Sequence, residues 1–276
     1  TTVYRNEKSG ELQGLTRVMS LTQDDTHHFV AEDQIESEIE MILGLMKRVY
    51  ETFGFTNYRV QISVRDPKTP EKYFGDDALW QKSEQILIEA AKRWGQPYNI
   101  KPGEAAFYGP KIDVMVKDSI GREWQLTTVQ LDFNQPVNFD MTYTGTNGQK
   151  HRPAVLHVAI LGSVERFMGI LIEHYAGAFP AWLAPVQVKI LPISDKHLDY
   201  AKQIFADLKN HGARVELDDA KESLGKKIRA AKLEKIPYLV IIGDQEVASQ
   251  KLTVETRDNQ KLTDLSVEKF YSKHLA

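Results

Sequence analysis

The sequence contains no cysteine. Disulfides and thiolate metal ligands from this chain are thereby excluded, so any transition-metal site must rest on imidazole and carboxylate. No apolar run is long enough to cross a bilayer, and no secretory leader is visible. The expectation is a cytoplasmic protein without a membrane partner. Neither charge is in excess: 35 basic and 38 acidic side chains leave a formal net charge of −3. A nucleic-acid partner would have to be met by a local basic face rather than by the overall field. Repeats and low-complexity tracts are missing as well. What remains is ordinary: 42% hydrophobic and 26% charged over 276 residues, enough for one large or two ordinary domains with cores. The opening TTVYRNE alternates like a strand already under way, which predicts a chain that begins inside a domain.

Two patterns divide the chain. In the first, Val3–Glu7 and Leu15–Leu21 read as strands, Ala31–Phe53 as a helix closed by Gly54, and Tyr58–Arg65 as an alternating strand. A helix over Asp77–Trp94 ends at Gly95. Lys111–Lys117, Glu123–Phe133 and Ala154–Leu161 follow as strands. Asn147-Gly148 marks a hairpin between Met141–Tyr143 and the last of these, before a helix over Ser163–Tyr175. Many strands and few helices predict an α+β domain with an antiparallel sheet over residues 1–180. The break FPAWLAP at 179–185 separates this from a βαβαββα pattern over 185–276, expected to be a small α/β domain. There Val186–Leu191, Ala213–Asp218 and Tyr238–Ile242 read as strands and Leu252–Thr256 as an edge strand. Helices are expected over Asp195–His211, Glu222–Leu233 and Asp264–His274.

Several polar residues leave two readings open. Asp24-Asp25-Thr26-His27-His28 reads equally as a metal site, a proton relay or a solvated turn. Arg5 and Glu7, two apart on one strand, and Arg17 on its partner could form a site or a surface ion pair. Thr128, Gln130 and Asp132 share one strand face, either exposed or lining something wet, while Gln125 falls on the face of Thr127, Val129 and Leu131. His157, alone in an apolar strand, is a core histidine or a ligand. The basic run KESLGKKIRAAKLEK (221–235) is a solvated helix face or an RNA-phosphate surface.

Six segments occur together, in order: YRNEKSG (4–10), TQDDTHHF (22–29), AFYGPKID (106–113), WQLTTVQLDF (124–133), HVAILGSVERF (157–167) and WLAPVQV (182–188). Their order and spacing resemble the threonyl-tRNA synthetases, a family of class II aminoacyl-tRNA synthetases. The resemblance implies a catalytic domain carrying motifs 2 and 3, followed by an anticodon-binding domain. Arg5 would then hold the ATP α-phosphate, Glu7 the adenine amino group and Arg17 the phosphates. Ser163 and Arg166 would belong to motif 3, with Arg166 on the adenine and γ-phosphate, and Lys111 and Gln125 would make further nucleotide contacts. Arg5 and Arg166 would be the catalytic pair. His27 and His157 match two zinc ligands, while Gln23, Asp25, Tyr108 and Gln130 would surround threonine. Arg229 and Arg257 match positions that touch anticodon bases. The implied reaction activates L-threonine with ATP and magnesium and transfers it to tRNA(Thr), in a protein that is a homodimer when full length. The alternative is a non-catalytic synthetase-like tRNA-binding protein or an inactive fragment.

The sequence departs from the family at specific places. Motif 1 and the cysteine that would complete the zinc ligands are not in this chain. Leu21 stands where a phenylalanine stacking on adenine is expected, Met19 and Val158 where arginines are expected, and Leu126 where some members carry cysteine. Lys221 replaces an asparagine and Ala248 a glutamate in the anticodon-binding part.

Overall fold

The computed structural model describes residues 1–275. The chain forms two compact units, Thr1–His174 and Tyr175–Ala276.

The first unit opens with a short antiparallel pair, β1 (Thr2–Tyr4) and β2 (Ser20–Thr22), followed by β3 (Thr26–Val30). Helix α1 (Ile35–Thr52) buries Ile35, Ile39, Ile42 and Met46 at helical spacing. Strand β4 (Tyr58–Val64) leads to α2 (Asp77–Trp94), which has the bounds its periodicity predicts. Its ends are set by the Asp76 carboxylate, which accepts from Leu79 N, and by Gly95 at φ 73°. Then come β5 (Tyr98–Pro102), β6 (Lys111–Lys117), β7 (Glu123–Asp132), a short α3 (Asn134–Asn138), β8 (Tyr143–Thr144), β9 (Lys150–His151), β10 (Ala154–Ala159) and α4 (Val164–His174).

The central sheet has the order β3-β10-β7-β6-β4-β5. It is antiparallel except that β5 lies parallel to β4. Strand β5 has no counterpart in the sequence reading, because it is short and Ile100 stays exposed. The hairpin at Asn147-Gly148 also differs from expectation: β8 pairs with β9, apart from the main sheet. The run at 24–28 is not a turn throughout, since Thr26–Val30 is a sheet strand paired with β10. Beneath the sheet, the Tyr50 hydroxyl of α1 lies 2.8 Å from Thr127 Oγ1 of β7, and burial drives the phenol's pKa upward.

The second unit runs β11 (Val188–Pro192), α5 (Leu198–Asn210), β12 (Val215–Leu217), α6 (Leu224–Leu233), β13 (Tyr238–Ile242), α7 (Asp244–Ser249), β14 (Leu252–Thr256), β15 (Lys261–Leu265) and α8 (Val267–His274). Its sheet, β12-β11-β13-β14-β15, is parallel at β12, β11 and β13 and antiparallel beyond. Leu252–Thr256 is therefore an inner strand and not the expected edge. The edge is β15, whose residues Lys261, Thr263 and Asp264 are exposed and give no strand signal. Val188, Ile190, Ile204, Leu208, Val240, Val254 and Phe270 form the core.

Candidate active site

Strand register assembles the site. Residues directly opposite one another in adjacent strands share a face. His27 of β3 is opposite His157 of β10, His157 is opposite Gln130 of β7, and Gln130 is opposite Lys111 of β6. Four residues scattered over 130 positions thus form one row across four strands. One step along, Thr128 of β7 is opposite Asp113 of β6.

Polar groups on this face are satisfied rather than exposed. Asp113 is 1% exposed and accepts from Ser63 Oγ (2.8 Å), Gln125 Nε2 (2.6 Å) and Thr128 Oγ1 (3.0 Å). Oδ2, the oxygen that accepts from Ser63, also meets Lys111 Nζ at 2.9 Å. Gln125 therefore works on the face of Thr128, not on that of Thr127 and Val129 where strict alternation puts it. A register shift between β6 and β7, at Asp113/Met115, moves it across. Buried Asp132 lies 3.0 Å from His157 Nε2 and accepts from the backbone N–H groups of Asn134 and Gln135. The Tyr108 hydroxyl donates to Gln130 Oε1 at 2.7 Å, leaving the Gln130 amide nitrogen to donate elsewhere. Burial raises the Tyr108 pKa, and Asp132 and Asp25 raise it further.

Beside this row lies a small, open cleft of about 100 Å³. Arg5, Glu7, Arg17, Gln23, Gln125, Ser163 and Arg166 all line it. Arg17 donates from Nε (3.1 Å) and Nη2 (2.9 Å) to Oε2 of Glu7 and from Nη2 to Glu11, so Oε1 of Glu7 is left open. The Arg5 guanidinium has no partner among the described residues. Arg166 donates to the carbonyl oxygens of Thr16 (2.8 Å) and Gln125 (3.0 Å). Burial lowers its pKa, and the guanidiniums of Arg5 and Arg17 lower it further. Three cations converging on one cleft with few acids make a seat for a polyanion.

Two carboxylates that the sequence reading left without a role hold the walls together. Asp24 accepts the N–H groups of Ile160 (2.9 Å), Leu161 (2.8 Å) and Gly162 (2.9 Å) at the turn before α4. Glu165, in the first turn of α4, reaches back to Thr22 N with both oxygens (2.9 and 3.0 Å) and accepts from Ser163 Oγ. Burial would raise the Glu165 pKa, but these hydrogen bonds outweigh it and hold it below the usual carboxylate value. The turn itself needs glycine, because Gly162 has φ 70° and a Cβ there would lie 2.6 Å from the Leu126 carbonyl oxygen.

His27 and His157 meet edge to face, with ring centroids 4.7 Å apart. Asp132 at Nε2 of His157 leaves Nδ1 for a metal, the arrangement that orients metal-bound imidazoles. No cluster of three or more His, Cys, Asp or Glu suited to a metal exists among the described residues. The described residues thus supply two ligands and do not by themselves fit zinc. His28 is engaged elsewhere, 2.6 Å from Glu38.

In the second unit Arg229 is exposed and unpartnered among the described residues. Arg257 is instead drawn inward: Nη2 donates to the Phe179 carbonyl at 2.7 Å, and its Nε is buried without a partner. Most lysines of the 221–235 run are tied down, Lys226 to Glu222, Lys227 to the Asp218 carbonyl and Lys232 to Glu255. No helix among the described residues is long and apolar enough to cross a membrane.

The family model "tRNA synthetase class II core domain (G, H, P, S and T)" matches residues 1–175, and "Anticodon binding domain" matches 187–275. Fold and cleft together define a class II aminoacyl-tRNA synthetase core joined to an anticodon-binding domain. Threonine–tRNA ligase of Thermotoga neapolitana is 52% identical over 97% of this chain, and that of a Sulfurihydrogenibium species 50% identical over 99%. The solved RNA-binding domain of threonyl-tRNA synthetase from Cryptosporidium parvum superposes with a TM-score of 0.92 at 35% identity, covering 100% of this chain and 70% of that one. The chain belongs to the threonyl-tRNA synthetase family. It spans 41–42% of the length of the two ligases.

Proposed function

We propose that residues 1–180 carry the adenylate-forming site of a threonine–tRNA ligase and residues 185–276 its anticodon-binding domain. The observation that carries this reading is the convergence of Arg5, Arg17, Arg166 and Glu7 on one cleft beside the His27–His157–Gln130 row. In this reading ATP, entering as its magnesium complex, lies in the cleft. Its adenine amino group donates to the open oxygen of Glu7, and its phosphates meet Arg5, Arg17 and Arg166. Lys111 and Gln125, both braced by Asp113, and Ser163 complete the nucleotide contacts. Threonine lies toward the row, with Gln23 and Gln130 on its charged groups and Asp25 accepting from its hydroxyl under Tyr108.

The threonine carboxylate attacks the α-phosphorus and pyrophosphate leaves, giving threonyl-adenylate; a terminal ribose hydroxyl of tRNA(Thr) then attacks the threonyl carbonyl, and AMP leaves. Arg5 and Arg166 act by positioning and by stabilising charge that builds on the phosphoryl oxygens. His27 and His157 would supply two zinc ligands, one fewer than a catalytic zinc site takes from its protein. Arg229 is the residue best presented to anticodon bases, and Arg257 would have to leave the Phe179 carbonyl to reach them. Threonine-dependent ATP–pyrophosphate exchange tests the reading, with valine and serine beside it. Exchange with threonine above valine is expected. No exchange, alongside retained tRNA binding, would favour the binding-protein alternative.

A further inference from the structure

We propose that Trp124 is the positioning residue for Arg166, an aromatic support chosen over an acidic one so that the guanidinium keeps its full charge for an anion. The Arg166 Cζ lies 5.4 Å from the centroid of the Trp124 ring. Its guanidinium otherwise bonds two neutral carbonyls, Thr16 O and Gln125 O. No carboxylate bonds it, although Arg5 and Arg17 are near enough to press on its charge. A carboxylate in that place would hold the guanidinium but also neutralise it, whereas the ring face attracts the cation through its quadrupole and leaves the charge intact.

Trp124 is not among the cleft's lining residues, so it acts from behind Arg166. The ring is itself fixed. Its Nε1 donates to Asp118 Oδ2 at 2.9 Å. Buried Asp118 is held in turn by the N–H groups of Ile120 and Arg122 and by the Arg122 guanidinium. One strand start therefore delivers both the ring (Trp124) and an acceptor (Gln125 O) to the same side chain. The affinity part of this inference rests on the nucleotide reading; the positioning part does not.

The test is side-chain NMR of the ¹⁵N-labelled chain, with the Arg166 Nε–H signal assigned by its loss in Arg166→Lys, and ATP titrated into the same samples. Wild type and Trp124→Phe are expected to show a rigid Arg166 Nε–H, and Trp124→Leu a mobile one. ATP should bind Trp124→Phe within about twofold of wild type and Trp124→Leu about tenfold more weakly, the range of a partly desolvated cation–π contact. A rigid Arg166 in Trp124→Leu overturns the proposal. If Trp124→Leu does not fold, Asp118→Ala, which removes the acceptor of the indole N–H and leaves the ring, is read the same way: a mobile Arg166 supports the proposal and a rigid one refutes it. Should wild type bind no ATP, the nucleotide reading fails while the NMR signal still decides the role of Trp124.

Discussion

At the scale of single residues, a buried carboxylate to which the family resemblance assigned no role braces one side of the cleft. Asp113 joins Ser63 on β4, Lys111 on its own strand, and Gln125 and Thr128 on β7. Replacing it with asparagine leaves Lys111 without its counter-ion. It also turns an amide donor toward the donors Gln125 and Thr128. Breaking a buried pair in this way costs about 3 kcal/mol. Urea unfolding of Asp113→Asn should show that loss, and an unchanged midpoint would mean that Lys111 and Gln125 are held by something else. The resemblance gave Lys111 and Gln125 roles but none to the acid that ends AFYGPKID, because a lone Asp at a strand position carries no signal until register puts β7 opposite it. Gln125 was also placed on the wrong face, since a one-residue register shift cannot be seen in alternation alone. His27 and His157, by contrast, were legible as a pair only through family resemblance. Neither stands in a metal-spacing motif. Their positions are fixed by strand pairing and Asp132, so chelation with EDTA is expected to leave the melting temperature of this chain unchanged. A clear fall would reveal a metal that holds the sheet.

At the scale of elements, the two walls of the cleft are fastened in both directions. Asp24, just after β2, holds the turn before α4, and Glu165, at the start of α4, holds β2. The folded-state pKa of Glu165 lies below its ordinary 4.5. Its contribution to stability is therefore present above that ordinary value and lost as pH falls through the lowered one. Stability measured by urea at pH 7 and near pH 4 should differ less in Glu165→Gln than in wild type. Equal acid sensitivity in both would remove Glu165 from the account. Asp24→Ala strips three N–H groups of their acceptor and should cost about 2–4 kcal/mol. The long helices were read well at this scale, whereas the short α3 and α7 were not read, and the closing helix begins at Val267 and not at Asp264. Residues 77–94 offered eighteen residues of amphipathic period, an aspartate cap and a terminal glycine. Strands β5 and β15 were missed because each is short and exposed, and is strand-like only through its partner.

At the scale of the whole molecule, two units carry separate cores, the first around α1 and the central sheet, the second around β11, β13 and α5. Residues 175–276 should therefore unfold cooperatively when expressed alone. A broad, non-cooperative melt would show that this unit depends on the rest of the chain. The change of pattern near the FPAWLAP segment was visible in the sequence, because a β-rich stretch gives way to regular strand–helix alternation. The meeting of Arg5, Arg17 and Arg166 across 161 positions was legible only through the family resemblance, because residue spacing alone does not show which side chains the fold brings together.

The most direct measurement is calorimetric titration of this chain with a non-hydrolysable threonyl-adenylate analogue, with the valyl analogue as the comparison. It asks for recognition without asking the chain to turn over. The account predicts one bound threonyl analogue per chain, at least about tenfold tighter than the valyl form, because a site built to hydrogen-bond a hydroxyl penalises its absence. No binding, or equal binding of the two, would contradict it.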